Sequence, residues 1–163
     1  MRLRTDRLAK MGLLLALGMI LSYVEFLFPI APSMPGVKIG LANMPVVMLI
    51  YTYGAYYGCF YQAVRLLLTA LLFGNVFSFV YSLAGAALSM AVMLIMKRTK
   101  WLDIPGVSML GGIFHNVGQL IVAYFFVQNG AIGWYFPVLL LAGAVSGYAM
   151  GFISELLIRR RLL

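Results

Sequence analysis

Three ionisable side chains, Glu25, Arg65 and His115, stand isolated inside long apolar stretches. Arg65 lies near the middle of its run, where a guanidinium costs roughly 2.5–3.5 kcal/mol on insertion scales. Something must offset that cost. A structural ion pair with Glu25 would do so, and so would an anion carried by a ligand. His115, Asn116 and Gln119 occupy little more than one helical turn, with His115 and Gln119 four apart on one face. Such a group forms either a hydrogen-bond cluster between helices or a contact strip for a ligand. Asn75, Ser78 and Ser82 recur at helical spacing, and Lys38 and Asn43 stand at the start of another apolar run.

Catalysis and metal binding find little support in these residues. His115 is the only histidine, and no cysteine is spaced to join it as a metal ligand. The two aspartates, Asp6 and Asp103, cannot build a paired-carboxylate Mg²⁺ site. An enzyme using His115 with Glu25 would lack an orienting third group. The reading therefore leans against an enzyme, with no catalytic residue, metal or cofactor assigned. A phosphate-binding Gly-rich loop ending in Lys-Ser/Thr is also missing, so nucleotide hydrolysis would have to come from another subunit. Cys59 is the only cysteine and reads as a small packing residue.

The elements that must position these groups are membrane helices. Of the 163 residues 64% are hydrophobic and 10% charged. A soluble domain is roughly half apolar and about a quarter charged. The apolar runs are continuous, which disfavours a transmembrane barrel of alternating strands. The fold class is therefore all-α, a single polytopic membrane domain of about six helices, expected near residues 11–30, 39–53, 55–73, 76–96, 104–127 and 132–158. Pro29, Pro32, Pro35 and Gly36 end the first helix, and Gly74-Asn75 and Asn129-Gly130 mark later turns. The second run is the shortest and contains Pro45. The basic stretch before the first run resembles a signal peptide, but the run is long and reads as a retained helix.

Charge gives the orientation. Ten of the twelve basic residues fall in three clusters: Arg2 to Lys10, Lys97 to Lys100, and Arg159 to Arg161. With six spans these clusters share one side, which the positive-inside rule assigns to the cytoplasm. Both termini are then cytoplasmic and the protein sits in the inner membrane. The net charge of +8 needs no nucleic-acid partner. Glu25, Lys38, Asn43, Asn75, Ser78 and Ser82 fall in the outer half, with Arg65 and the His115 cluster near mid-membrane. A polar pocket open to the outside is the economical reading. Small residues make a second pattern: Ala9, Gly12 and Ala16 in the first helix, Ala84 to Ala87 in the fourth, and Ala142, Gly143, Ala144, Ser146 and Gly147 in the sixth. They serve close internal packing or docking onto another membrane protein.

The strings Lys38-Ile39-Gly40-Leu41-Ala42-Asn43, Gly74-Asn75-Val76-Phe77-Ser78, Tyr81-Ser82-Leu83-Ala84-Gly85 and Gly111-Gly112-Ile113-Phe114-His115-Asn116-Val117-Gly118-Gln119 occur in that order. Together they resemble the heptaprenyl diphosphate synthase component I family, also called the Gx transporter family. That family is similar to the S components of energy-coupling factor transporters. The resemblance implies a six-helix protein that binds a solute from outside and joins an energy-coupling transmembrane subunit with two ATPases. Docking through an Ala-x-x-x-Ala pattern would map to Gly12 and Ala16, and the 31–37 loop would close over the ligand. The synthase name implies instead a non-catalytic accessory role in polyprenyl diphosphate synthesis. The expectation is thus a solute-binding subunit, surrounded by membrane lipid, whose ligand contacts are Glu25, Lys38, Asn43, Arg65, Asn75, Ser78, His115, Asn116 and Gln119. Arg65 and Lys38 favour an anionic or carbonyl-rich solute.

Overall fold

A computed structural model describes residues 2–27, 40–74, 76–127 and 136–160. These are almost wholly helical, and no strand occurs among them. The helices are α1 (Arg2–Leu27), α2 (Met44–Thr52), α3 (Ala55–Phe73), α4 (Val76–Thr99), α5 (Ile104–Val127) and α6 (Phe136–Arg159), with a 3₁₀ turn at Leu41–Asn43 leading into α2. Five of the six are long and apolar enough to span a bilayer. Their outward faces carry Leu13, Leu71, Phe125 and Val145, each about 70–80% exposed. Such a surface would aggregate in water and is what lipid requires. The chain is a multi-pass membrane protein.

Helix α2 departs from the expected span at 39–53. The helix proper has nine residues, or about 14 Å at ~1.5 Å per residue, under half of a ~30 Å hydrocarbon core. Gly40 takes a left-handed conformation (φ 75°), the chain turns through the 3₁₀ segment, and Pro45 sits at the start of α2. Pro45 through Ile50 are all buried. A helix that is apolar all round belongs in an interior, and α2 supplies much of this one. Val46, Val47, Leu49 and Ile50 pack with Leu14, Tyr61, Met90, Met93 and Val107. Helix α1, expected from residue 11, begins at Arg2, because hydropathy marks the lipid-contacting length and not the helix itself. The start expected at 132 for the sixth helix lies outside the described residues.

Contacts at the helix ends place the basic clusters together. The Arg7 guanidinium lies 6.0 Å from the Tyr53 ring centroid, at the end of α2. Lys97, at the end of α4, donates to the Ile50 carbonyl and lies 4.9 Å from the Tyr51 ring centroid. The start of α5 meets the last turns of α6, where Gly151 packs on Pro105. Asp103 caps α5, its Oδ1 accepting the Gly106 N–H at 2.9 Å. The beginning of α1 and the end of α6 therefore share one end of the bundle.

Small residues bind α4, α5 and α6 into one unit. A Cβ on Gly118 would lie 2.6 Å from the Ala84 carbonyl oxygen, and one on Gly147 would lie 2.6 Å from that of Ser108. Gly112 and Gly143 face each other backbone to backbone. Only glycine permits this approach, and it replaces side-chain interdigitation with backbone contact. Gly12 differs, since a Cβ there would meet nothing within 4 Å, and Ala16 beside it is exposed. The internal-packing explanation thus holds for α4 and α6 and does not hold for α1.

Candidate ligand-binding site around a buried guanidinium

Away from the basic end, the helix ends enclose a cavity of about 150 Å³. Every helical face reaching it repeats at three or four residues. Helix α1 gives Ser22, Glu25 and Phe26; α3 gives Arg65, Leu66, Thr69, Ala70 and Phe73. Ser78, Phe79 and Ser82 come from α4, Gly112, His115 and Asn116 from α5, and Gly143 with Ser146 from α6. The 3₁₀ turn inserts Gly40, Ala42 and Asn43 between these walls. The short α2 matters here, because its late start leaves, on the side away from the basic end, space that no described residue of that layer fills.

Arg65 is 7% exposed. Its Nη1 donates to Ser22 Oγ at 3.2 Å, and its Nη2 donates to Asn43 Oδ1 at 3.2 Å and Gln62 Oε1 at 3.1 Å. All three acceptors are neutral. Its Nε is buried and has no hydrogen-bond partner. The side chain is thus oriented by three bonds to neutral groups, with the Glu25 carboxylate near enough to act on its charge. Glu25 serves the backbone instead, where its Oε1 accepts the Leu41 N–H at 2.6 Å. A carboxylate there satisfies an orphan donor at the start of the 3₁₀ turn. The ion pair considered between Arg65 and Glu25 is not formed, although both side chains line the same cavity.

The other expected contacts divide. Asn43, Ser78, His115 and Asn116 line the cavity with Arg65 and Glu25. Asn116 also donates to the Leu139 carbonyl at 2.6 Å, fastening α5 to α6. Gln119 does not reach the lining. It is 1% exposed, lies against Gly85 in the α4–α5 seam, and its amide makes no hydrogen bond. Lys38 and Asn75 lie outside the described residues, as does the 31–37 loop. Ser22, Gln62 and Thr69 were not expected. The signal for two of them was in the sequence, since Ser22 is three residues from Glu25 and Gln62 three from Arg65. No group of three metal-ligating side chains occurs among the described residues.

One wall is aromatic and apolar. Phe26 and Phe73 stack with centroids 6.4 Å apart, and Tyr23 lies against Phe73 at 5.0 Å. Phe79 and Leu66 extend that surface. A pocket with an oriented cation, a few hydroxyl and amide groups and an apolar wall has the general form of a small-molecule site.

Comparison with curated proteins returned no match, and comparison with solved structures returned none either. The sequence pattern of one family covers residues 14–157, which include every described lining residue of the cavity. On that match the chain belongs to the heptaprenyl diphosphate synthase component I family.

Proposed function

We propose that the chain is a ligand-binding membrane subunit that takes up a small solute and relies on separate subunits for energy. The observation that carries this reading is Arg65, a buried cation held by three neutral side chains with its Nε aimed at no protein acceptor. In this reading the basic end is cytoplasmic, in the inner membrane, by the positive-inside rule. The cavity then opens outward. The exposed Gly12–Ala16 face of α1 is the docking surface for a membrane partner that supplies ATP hydrolysis.

The family's name favours a second reading, an accessory membrane component of heptaprenyl diphosphate synthase. The residues present do not fit a Mg²⁺–diphosphate centre, because Glu25 is the only carboxylate among the described lining residues. In this reading the chain would therefore assist a catalytic partner and not perform the condensation itself. Native mass spectrometry of the whole chain, extracted in mild detergent, tests the choice. A small-molecule adduct, with or without an energy-coupling partner, supports uptake. Co-purification with a prenyl synthase subunit and no small-molecule adduct supports the second reading and overturns the first.

A further inference from the structure

We infer that the bundle contains a second, inner binding site, a chamber on the basic-end side of the larger cavity whose ligand is one ordered water molecule. The site does not depend on what the larger cavity binds.

The chamber is walled by five helices. Its polar side chains include Gln62 from α3, Ser89 from α4 and Ser108 from α5. Gly40, Asn43, Gly112 and Ser146 line both cavities and form the partition between them. On α4 the larger cavity ends at Ser82, and Ser89 lies two turns further toward the basic Lys97–Lys100 segment. The chamber has a volume of about 20 Å³. One water needs roughly 10–15 Å³ of such space and two to four polar partners. The space therefore admits a water and is too small for an organic solute.

The partners are present and otherwise unused. Ser89 and Ser108 are 6% and 5% exposed, and neither hydroxyl bonds a protein group among the described residues. A helical serine commonly returns its hydroxyl to the carbonyl one turn back, as Ser154 does to Met150 at 2.7 Å. Ser89 Oγ instead lies 3.3 Å from where a Cβ on Gly111 would stand, and Gly111 is part of the chamber wall. A buried hydroxyl left unpaired is costly. Gln62 and Asn43 complete the set. Their carbonyl oxygens accept from Arg65, so their amide N–H groups are the donors left for the chamber. Two amide donors and two hydroxyls supply the roughly three bonds that a buried water makes. A cation is disfavoured, because the amide donors would face it and the Arg65 guanidinium already bonds two of the wall residues. Met90, Met93 and Met150 close the rest of the chamber. The water thus braces Gln62 and Asn43, and through them the guanidinium of Arg65.

The three methionines make the water detectable. X-ray radiolysis turns a bound water into a hydroxyl radical that oxidises the side chains beside it, and mass spectrometry of the full chain in detergent locates the oxidised residues. Met90, Met93 and Met150 should oxidise several-fold faster than Met48, which is also buried but is no part of the chamber wall. Ser89→Val places methyl groups in the chamber and should bring the three down to the rate of Met48. Melting temperature gives an independent sign. Ser89→Ala and Ser108→Ala should each lower it by about 2–4 °C, the loss of one hydrogen bond in a chain of this size. In a dry chamber the same changes would remove a costly unpaired hydroxyl and raise it. Oxidation of the three methionines at the rate of Met48, oxidation undiminished in a folded Ser89→Val, or a raised melting temperature in both alanine variants would each overturn the site.

Discussion

Replacing Arg65 by alanine separates a structural cation from a binding one. Three buried hydrogen bonds to Ser22, Asn43 and Gln62 disappear. Bonds to a charged group contribute about 1.5–3 kcal/mol each, so the gross loss is at least ~4.5 kcal/mol. Against this stands the relief of roughly 2.5–3.5 kcal/mol for taking a guanidinium out of the membrane interior. Ser22, Asn43 and Gln62 are neutral, and water entering the cavity can satisfy them. The net destabilisation should then lie toward the lower end of about 1–6.5 kcal/mol. Ligand affinity has no such compensation and should fall about 10- to 100-fold for a lost charge-assisted bond worth ~1.5–3 kcal/mol. Because Glu25 holds the Leu41 N–H and not Arg65, adding Glu25→Gln should not restore the lost stability. Melting in detergent and adduct occupancy by native mass spectrometry read the two effects independently. Unchanged occupancy in Arg65→Ala, with stability lost and then recovered by Glu25→Gln, would show a plain ion pair and refute the binding role of Arg65.

Other consequences can be checked separately. Reporter fusions at the two termini should report the same side of the membrane, and opposite sides would contradict the shared basic end. Gly112→Ala should destabilise by about 1–3 kcal/mol, the usual range for overpacking, since its Cβ would meet the Gly143 backbone; Gly12→Ala should be near neutral, and equal losses in melting temperature would refute the contrast. Gly12→Leu or Ala16→Leu should abolish co-purification of an energising partner while leaving melting and ligand occupancy unchanged; undiminished co-purification would remove this face as a dock. Tyr61→Phe removes the bond to the Leu14 carbonyl, 3.0 Å long, and should cost about 0.5–1.5 kcal/mol, measured as loss of melting temperature.

The sequence made the long helices legible because a bilayer demands continuous apolar runs, and turn residues such as Gly74 interrupt them. It could not show that α2 stops short. Residues 39–53 are as apolar as a span, and only the Gly40 turn and the surrounding helices reveal a buried half-length helix. Arg65 and Asn43 were readable as site residues because polar groups inside a membrane need a reason. Their mutual geometry was not readable, so pairing Arg65 with Glu25 rested on charge alone. Gln119 shows the limit of spacing arguments. It shares a helix face with His115, yet that face is broad enough for His115 to reach the cavity while Gln119 lies in the seam against Gly85. The decisive residue, Gly85, is on another helix.

The two kinds of small residue explain how one chain can be both a packed bundle and a vessel. Gly85, Gly112, Gly118, Gly143 and Gly147 draw α4, α5 and α6 together by backbone contact, leaving those helices few large side chains to project inward at the same level. On the other side, α1 and α3 approach through side chains. Tyr61 fills the space over Gly18 and bonds the Leu14 carbonyl, and Arg65 reaches Ser22 one turn further on. Between the close-packed half and the side-chain-packed half, the late start of α2 leaves space that no described residue fills. Glu25 and Arg65 then hold the 3₁₀ turn at its two ends, through Leu41 and Asn43. The polar groups that form the cavity's chemistry are therefore also those that fix its floor. A ligand oxygen that engages the Arg65 guanidinium will act on the Asn43 contact as well, which couples occupancy of the cavity to the position of the chain segment entering α2.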